Sequence, residues 1–430
     1  MAERLAVYWG SEITGYLTRQ RRGRVRFQYA GQWLEKYHQA ISFSLPCDAK
    51  EFGTEISTNF FENLLPESGV YEEICRKHRI EKEDIYSFLL AYGLDCAGAL
   101  AIADASGPPP SEARESQNGY REVTGELETL LAERHTALLA GTGARLSIAG
   151  AQDKLPVRAM PGDKEKSPLL FIPDTGSPAP TTDILKPQSP RFLDLHKNEA
   201  FCMALAKTIG LAVPDARIIQ VGAHQAYLVA RYDRIQAPNG AITRLHQEDF
   251  CQALGYSRNS KYEEHGGPGF AICGKLLLHP AVMELESARN SFIRCAIFNY
   301  IIGNCDAHGK NFALLHQLSG EIYLAPFYDL VSTMAYSELD QKFAMAIGKT
   351  FRFDRIAEHS WRQFSADMNI HPARLAAMMR ETARAVQTQA EKVAVFHERQ
   401  YGLSPIYPAL LKVIANGTEQ IIHMAEALVV

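Results

Sequence analysis

The stretch IIGNCDAHGKNFALLH, Ile301–His316, decides how the chain is read. Apolar residues lead into it and out of it, and Asp306, His308, Lys310 and Asn311 crowd between them. Flanks that bury themselves hold a short polar loop rigidly. The spacing D-x-x-x-x-N, from Asp306 to Asn311, has a mechanical meaning. In a phosphoryl-transfer loop the Asp accepts a hydroxyl proton, and an Asn one short loop later binds the metal that bridges the phosphates of ATP. That metal needs a second carboxylate. Asp329, within LAPFYDLVST (Leu324–Thr333), follows a turn and a short strand-like run, Glu321–Leu324.

Base, Asn and second Asp is the order found in protein kinases. Two parts of the usual signature are missing. Asp329 precedes Leu330, so there is no D-F-G, and Asn304-Cys305 precede Asp306, so there is no H-R-D. The alternative is a polar turn between two core elements, which is what most Asp/Asn/Gly clusters are.

The chain has 430 residues, enough for two or three domains or lobes. With 46% hydrophobic and 22% charged residues it is an ordinary globular protein, neither disordered nor fibrous. No apolar run approaches a membrane span, and the start MAERLAVYWG is not a signal peptide. Eight cysteines are scattered with no C-x-x-C, so they are expected as reduced, mostly buried thiols in a cytoplasm, without zinc. The net charge of -4 excludes a globally basic nucleic-acid binder and leaves only local patches.

Outward from the central stretch, the first thirty or so residues predict three short strands, Leu5–Trp9, Thr14–Leu17 and Val25–Tyr29. RQRRGRVR, Arg19–Arg26, falls in the turn between the last two and carries Arg19, Arg21, Arg22, Arg24 and Arg26. It is either a solvated turn or a tip that touches DNA phosphates, because the arginine fork matches phosphate geometry. Helical periodicity marks Phe60–Leu65, Glu72–His78 and Ile85–Tyr92, which makes the first hundred residues a small α+β unit. GPPPSEARESQN, Gly107–Asn118, is the best linker. A helix is expected over Gly125–Ala140 with Thr124 as its N-cap.

LSIAGAQDKLPV, Leu146–Val157, predicts strand, turn, strand, with small residues that let backbone N–H groups approach a phosphate. A plain hairpin is the competing reading. TDILKP, Thr182–Pro187, is a short strand bearing a lone Lys186, the place where a kinase pairs phosphates with lysine. A helix is expected from about Asn198 to Gly210, with Glu199 either facing Lys186 or serving the helix dipole. Arg217–Val221 and Tyr227–Tyr232 form a hairpin ending in ARYDR, where a nucleotide base would meet backbone groups of a hinge. Beyond Gln247 helices dominate: Glu248–Leu254, Val282–Ile302, Arg374–Tyr401, Pro408–Ile414 and Glu419–Leu428. A β-rich half, a hinge and a helical half with D-x-x-x-x-N at its centre is a kinase order.

At this point the motifs add up. SIAGAQDK (Ser147–Lys154), ILKP (Ile184–Pro187), NEAFC (Asn198–Cys202), RYDR (Arg231–Arg234), KYEEHGGPG (Lys261–Gly269), IGNCDAHGKNF (Ile302–Phe312) and LAPFYDL (Leu324–Leu330) occur in one order. FFENLLPES (Phe60–Ser68) and YGLDCAGAL (Tyr92–Leu100) precede them. Together they resemble the HipA family, the serine/threonine-kinase toxins of bacterial HipBA toxin–antitoxin modules. The resemblance spans nearly the whole chain. It implies a two-lobed, protein-kinase-like α+β fold, with an N-terminal subdomain over 1–108, an N-lobe over 109–235 and a helical C-lobe over 236–430.

The resemblance further implies roles. Asp306 is similar to the catalytic base, Asn311 and Asp329 to the Mg2+ ligands, and Lys186 to the phosphate-pairing lysine. Ala149, Gly150, Ala151, Gln152, Asp153 and Lys154 resemble the phosphate loop, and Ala230, Arg231 and Tyr232 the adenine hinge. His308, Gly309 and Lys310 would lie beside the phosphates, with Tyr328 next to Asp329. Ser147 matches a serine whose autophosphorylation expels the loop and destroys the ATP site. Implied cofactors are ATP and Mg2+. Implied partners are a HipB-like antitoxin dimer, operator DNA through that complex, and a protein target of the aminoacyl-tRNA synthetase class, with no membrane. The region between Pro187 and Asp194 is short here, and the motifs do not name the target. A small-molecule kinase and a non-catalytic DNA-bound co-repressor are the competing classes.

Overall fold

A computed structural model describes residues 4–47, 51–66, 68–107, 110, 119–132, 154–164, 167–174, 177–189, 191–238 and 240–429. The chain folds as two compact units. The first comprises Met1–Pro187, Ile219–Asn259 and Leu315–Glu321; the second comprises Gln188–Ile218, Ser260–Leu314 and Ile322–Val430. Helix and strand are mixed, as the α+β expectation requires.

The first unit is built on two sheets. A four-stranded sheet runs Val25–Tyr29, Glu12–Arg19, Arg4–Trp9, Leu100–Asp104, with neighbours antiparallel. Along Arg4–Trp9 the side chains alternate as a pleated strand must. Leu5, Val7 and Trp9 join the main core, and Ala6 and Tyr8 pack with Ala101 on the other face. The edge strand Val25–Tyr29 is capped laterally by the helix Thr54–Glu62. The Ser57 hydroxyl accepts from the Phe27 N–H at 3.0 Å and the Thr58 hydroxyl accepts from the Val25 N–H at 3.3 Å, so the edge offers those donors to no other chain.

The second sheet has six strands in the order Tyr120–Glu122, Ser167–Pro173, Leu155–Lys164, Asp183–Pro187, His224–Ala230, Ala216–Val221. Its interior residues Leu155, Val157, Leu185, Ile219 and Leu228 continue the same core. The expected strands appear within a residue or two, except that the one expected over Tyr227–Tyr232 is His224–Ala230, three residues earlier at its start. The cap at Thr124 does not: the helix is Thr124–Ala132 among the described residues, and the Thr124 hydroxyl accepts from the Leu170 N–H at 2.9 Å instead. Residues 133–140 of the expected helix, the 146–153 part of the strand–turn–strand and most of the 107–118 linker lie outside the described residues.

The second unit is mainly helical: Leu195–Thr208, Phe270–Leu277, Leu285–Ile302, Glu358–Asp367, Pro372–Tyr401 and Ile406–Ala427, with a two-stranded ribbon of Lys342–Ile347 and Thr350–Arg352. Several boundaries differ from expectation, among them the helix expected from Val282, which starts at Leu285. The helix expected from Asn198 starts at Leu195, so Glu199 sits in its second turn, buried, and not at the dipole end. The two helical segments expected on either side of Asn416-Gly417 are one helix. A side chain at Gly417 would place its Cβ 2.4 Å from the Ile301 carbonyl oxygen, so the glycine allows the helices Leu285–Ile302 and Ile406–Ala427 to touch backbone to backbone. It is a packing glycine, not a breaker. None of the eight cysteines is in a disulfide, and seven are buried. Among the described residues no helix is long and apolar enough to cross a membrane.

Candidate active site

The helix Leu285–Ile302 ends on Gly303, whose φ of +64° turns the chain sharply out of the helix axis. The Asn304 N–H still reaches back to the Asn299 carbonyl at 2.8 Å, which closes the helix end. The chain leaving that end is fixed from several directions. The Thr333 hydroxyl accepts from the Cys305 N–H at 2.9 Å and donates to the Gly303 carbonyl at 3.1 Å, and the Cys305 carbonyl accepts from the Ala344 N–H at 2.9 Å. Burial pushes the Cys305 thiol up to about 12, so it stays protonated and is no nucleophile.

Asp306 is next. Its carbonyl accepts from the His308 N–H at 2.8 Å and from Asn311 Nδ2 at 3.1 Å. The Asn311 N–H donates to the His308 carbonyl at 2.9 Å, closing a 3-10 turn over Gly309–Asn311. D-x-x-x-x-N is therefore one loop whose first residue orients the amide of its last. The Asp306 carboxylate accepts from the Tyr262 hydroxyl at 2.6 Å. The Tyr262 and His308 rings meet edge to face with centroids 5.2 Å apart. His308, Lys310 and Asn311 are buried.

Asp329 is joined to this loop through Asn304, a residue the sequence did not single out. The buried Asn304 side chain accepts from the Asp306 N–H at 3.2 Å and donates to the Asn299 side chain at 3.0 Å and to the Asp329 carbonyl at 3.4 Å. Asp329 itself has a φ of +54°. That left-handed conformation costs a non-glycine residue about 1 kcal/mol or more, and it persists only where the surroundings impose it. The surroundings are on both sides of it. The Tyr328 hydroxyl donates to the Lys310 carbonyl at 2.6 Å, the Phe327 N–H donates to the Ala212 carbonyl at 2.8 Å, and Asn198 binds Ser332 beyond. Asn304 and Tyr262 look in the sequence like a helix-end asparagine and a core tyrosine; the local signal was only their place within IGNCDAHGKNF and KYEEHGGPG.

Among the described residues no three or more His, Cys, Asp and Glu cluster as a metal site. Asn311 and Asp329 offer one amide and one carboxylate. Two hard oxygen donors suit Mg2+, which keeps several waters and takes substrate phosphates as its other ligands. Asn311 Nδ2 is committed to the Asp306 carbonyl, which turns its Oδ1 acceptor the other way. The donor set fits.

In the first unit, Lys186 lies in the strand Asp183–Pro187 opposite Tyr227. It is buried, with Nζ 5.8 Å from the centre of the Tyr227 ring. Lys154 immediately precedes the strand Leu155–Lys164, while Ser147, Ala149, Gly150, Ala151, Gln152 and Asp153 lie outside the described residues. At the expected hinge, Ala230 pairs with Asp183, and the Arg231 N–H already donates to the Thr182 carbonyl at 2.9 Å. The Arg231 guanidinium is engaged in the interior. It meets Asp233 at 2.9 Å and Asp95 at 3.3 Å, and Arg234 meets both acids as well. Asp95 is held far below the usual carboxylate range, its burial outweighed by Arg231, Arg234 and Arg244. This ion network joins the end of the four-stranded sheet's last turn to the end of the six-stranded sheet, and Asp95 carried no sequence signal for it.

The arginine turn exists. A 3-10 turn, Arg21–Gly23, joins strands Glu12–Arg19 and Val25–Tyr29. Two of its five arginines have acidic partners: Arg19 meets Asp84 at 2.5 Å and Arg26 meets Glu51 at 3.2 Å. Arg21, Arg22 and Arg24 are exposed.

Residues 5–103 match the HipA N-terminal domain, and residues 146–390 match the HipA-like C-terminal domain. A Sinorhizobium fredii protein named "Putative kinase Y4mE" is 35% identical over 398 residues, covering 91% of each chain. The serine/threonine-protein kinase toxin HipA of Shewanella oneidensis is 31% identical over 330 residues, 72% of this chain and 71% of that one. In solved structures, HipA in the Shewanella oneidensis complex of HipA, HipB and operator DNA superposes with a TM-score of 0.79 at 24% identity, covering 98% of this chain and 97% of that one. The two matched domains, the identity to full-length relatives and the shared fold agree: the chain belongs to the HipA family of serine/threonine-protein kinases.

Proposed function

We propose that the chain transfers the γ-phosphate of ATP to a serine or threonine hydroxyl of a protein, with Asp306 as the base that orients and deprotonates that hydroxyl. The observation that carries this reading is the Asn304 side chain, which binds the Asp306 N–H and the Asp329 carbonyl at once. A polar turn between core elements has no need of such a tie; a base and a metal ligand that must keep fixed register do. Asn311 and Asp329 would hold Mg2+. When bound, the cation would offset the negative charge that develops on transfer.

Lys186 pairs the phosphates in this reading, Lys154 and the preceding Ala149–Asp153 form the phosphate loop, and the backbone of Ala230–Tyr232 meets the adenine. The Arg231 guanidinium takes no part, because its partners are Asp95 and Asp233. His308, Gly309, Lys310 and Tyr328 frame the loop. Residues 1–108, 109–235 and 236–430 act as N-terminal subdomain, N-lobe and C-lobe. The protein works in the cytoplasm, its target is of the aminoacyl-tRNA synthetase class, and phosphorylation of that target arrests translation and growth, which favours persistence. Autophosphorylation of Ser147 switches it off.

A DNA-bound role accompanies the catalytic one. The Shewanella oneidensis structure holds HipA with HipB and operator DNA. Three exposed arginines on one turn of an otherwise acidic chain suit the same arrangement with a HipB-like antitoxin. The test of the catalytic reading is incubation of the full-length chain with Mg-ATP and purified aminoacyl-tRNA synthetases, followed by phosphopeptide mapping. Wild type should label one synthetase, and Asp306→Asn should label none. Equal labelling by the two would remove Asp306 from the base role.

A further inference from the structure

Among the described residues, the Asp306 carboxylate is held by one side chain. Backbone bonds and the Asn304 and Asn311 side chains fix the main chain of the loop, but they leave the carboxyl group free to rotate about its own bond. The Tyr262 hydroxyl stops that rotation, donating to Oδ1 at 2.6 Å. Tyr262 is itself held by neighbouring side chains. Lys261 Nζ lies 5.3 Å from the centre of its ring, and the His308 ring meets it edge to face at 5.2 Å. The loop that carries it is tied to the catalytic loop through the Lys261 carbonyl, which accepts from the Gly309 N–H at 3.3 Å. On the far side Glu263 accepts from the Ala346 N–H at 2.7 Å. A hydroxyl fixed at that many points and aimed at one carboxylate oxygen is a built contact.

We infer that Tyr262 is a positioning residue for phosphoryl transfer: by holding Oδ1 of Asp306 it presents Oδ2 to the incoming hydroxyl of the protein substrate. This deepens the reading of Asp306 as the base and rests on it. The donor hydroxyl moves no proton; it selects which carboxylate oxygen works and keeps the other from turning toward the acceptor. Its contribution is realised in the transfer step and not in nucleotide binding.

The experiment uses the full-length chain with Mg-ATP and the purified aminoacyl-tRNA synthetases as acceptors, and reads ADP release together with the calorimetric Kd for Mg-ATP. Tyr262→Phe keeps the ring and its contact with His308 and deletes the hydroxyl. It should lower kcat by about tenfold or more, the worth of one hydrogen bond to a charged group, and leave Kd within about twofold. Tyr262→His returns a donor on a smaller ring and should recover part of the loss, and it keeps the question open to measurement if the Phe variant folds badly. Wild-type kcat in Tyr262→Phe, or a loss that appears in Kd, overturns the inference. Wild-type turnover in Asp306→Asn alone overturns the base reading on which it rests, independently of any Tyr262 variant, and so does a wild-type chain that releases no ADP.

Discussion

Asn198 and Ser332 exchange two hydrogen bonds: Asn198 Nδ2 donates to the Ser332 carbonyl and Asn198 Oδ1 accepts from the Ser332 N–H, both at 2.9 Å. The amide replaces a missing strand neighbour and anchors the segment three residues after Asp329 to the helix Leu195–Thr208. Asn198→Asp keeps the acceptor, loses the donor and places a charge at a site with no exposure. The unit should lose on the order of 2 kcal/mol, because a buried carbonyl is left unsatisfied. Mg-ATP binding should weaken with it as Asp329 loosens. Melting and calorimetry on one preparation check both; an unchanged Kd would mean that the anchor does not reach Asp329.

Asp329→Ala should weaken Mg-ATP binding itself, since a hard cation loses an oxygen ligand. Asp306→Asn should leave binding nearly intact and remove transfer. Lys186→Ala should affect both. Titration of the three variants with Mg-ATP separates the roles, and an Asp329→Ala isotherm identical to wild type would end the assignment of Asp329 as a ligand.

Protein incubated with ATP should carry one dominant phosphosite, Ser147, by mass spectrometry. Ser147→Ala should stay active longer under the same conditions. The reason is charge: a phosphoserine dianion competes with the nucleotide phosphates for the same backbone donors. A dominant site elsewhere in the chain would remove self-inactivation from the proposal.

Arg22→Ala/Arg24→Ala should reduce operator affinity of an antitoxin complex and lower its salt slope by roughly one unit per lost phosphate contact. Arg19→Ala is the control. Its ion pair with Asp84 ties the strand Glu12–Arg19 to the N-cap of the helix Ile85–Tyr92, so it should disturb the fold before it disturbs the slope. Operator binding at several salt concentrations decides the matter, and equal slopes for wild type and the double variant return the turn to plain solvent exposure.

Acid should destabilise the first unit from about pH 6.5 downward. Burial, and then the neighbouring His316, push His246 down to about 3. Its ring nitrogen lies 2.7 Å from the Ile41 carbonyl and its ring 4.5 Å from that of Trp9. The folded-state value is below the unfolded one of about 6.5, so between the two the unfolded chain binds the extra proton and stability rises with pH. The contribution is intact above about pH 6.5 and is lost as pH falls toward 3. At pH 5.5 the loss from this group is about 1.4 kcal/mol. Denaturant melts at pH 7.5 and 5.5 measure it, and His246→Gln should flatten the dependence by that amount.

Much of this was legible because it was local. Alternation in Arg4–Trp9, apolar spacing in Leu285–Ile302 and the spacing of Asp306 from Asn311 each depend on residues close in sequence. What failed depended on distant partners. Gly417 reads as a break until Ile301 is known to lie against it. Where the Arg231 guanidinium goes is not legible until Asp95, far earlier in the chain, is found beside it. Thr124 has the chemistry of a cap, and Leu170 claims its hydroxyl. Tyr262 and Asn304 are the sharpest instances. Nothing in their own neighbourhoods says that one aims at the Asp306 carboxylate and the other at the Asp329 carbonyl, because that is decided where separate segments meet.

The close crossing at Gly417 reaches beyond packing. The Ile301 backbone that it touches is the last full turn before the loop of Asp306, so that loop takes its starting point from a helix, Ile406–Ala427, that begins a hundred residues further along the chain. During synthesis the Asp306 loop emerges well before its support. A nascent chain halted short of Ile406 would carry every residue of the proposed site and lack the helix against which the Leu285–Ile302 helix is set.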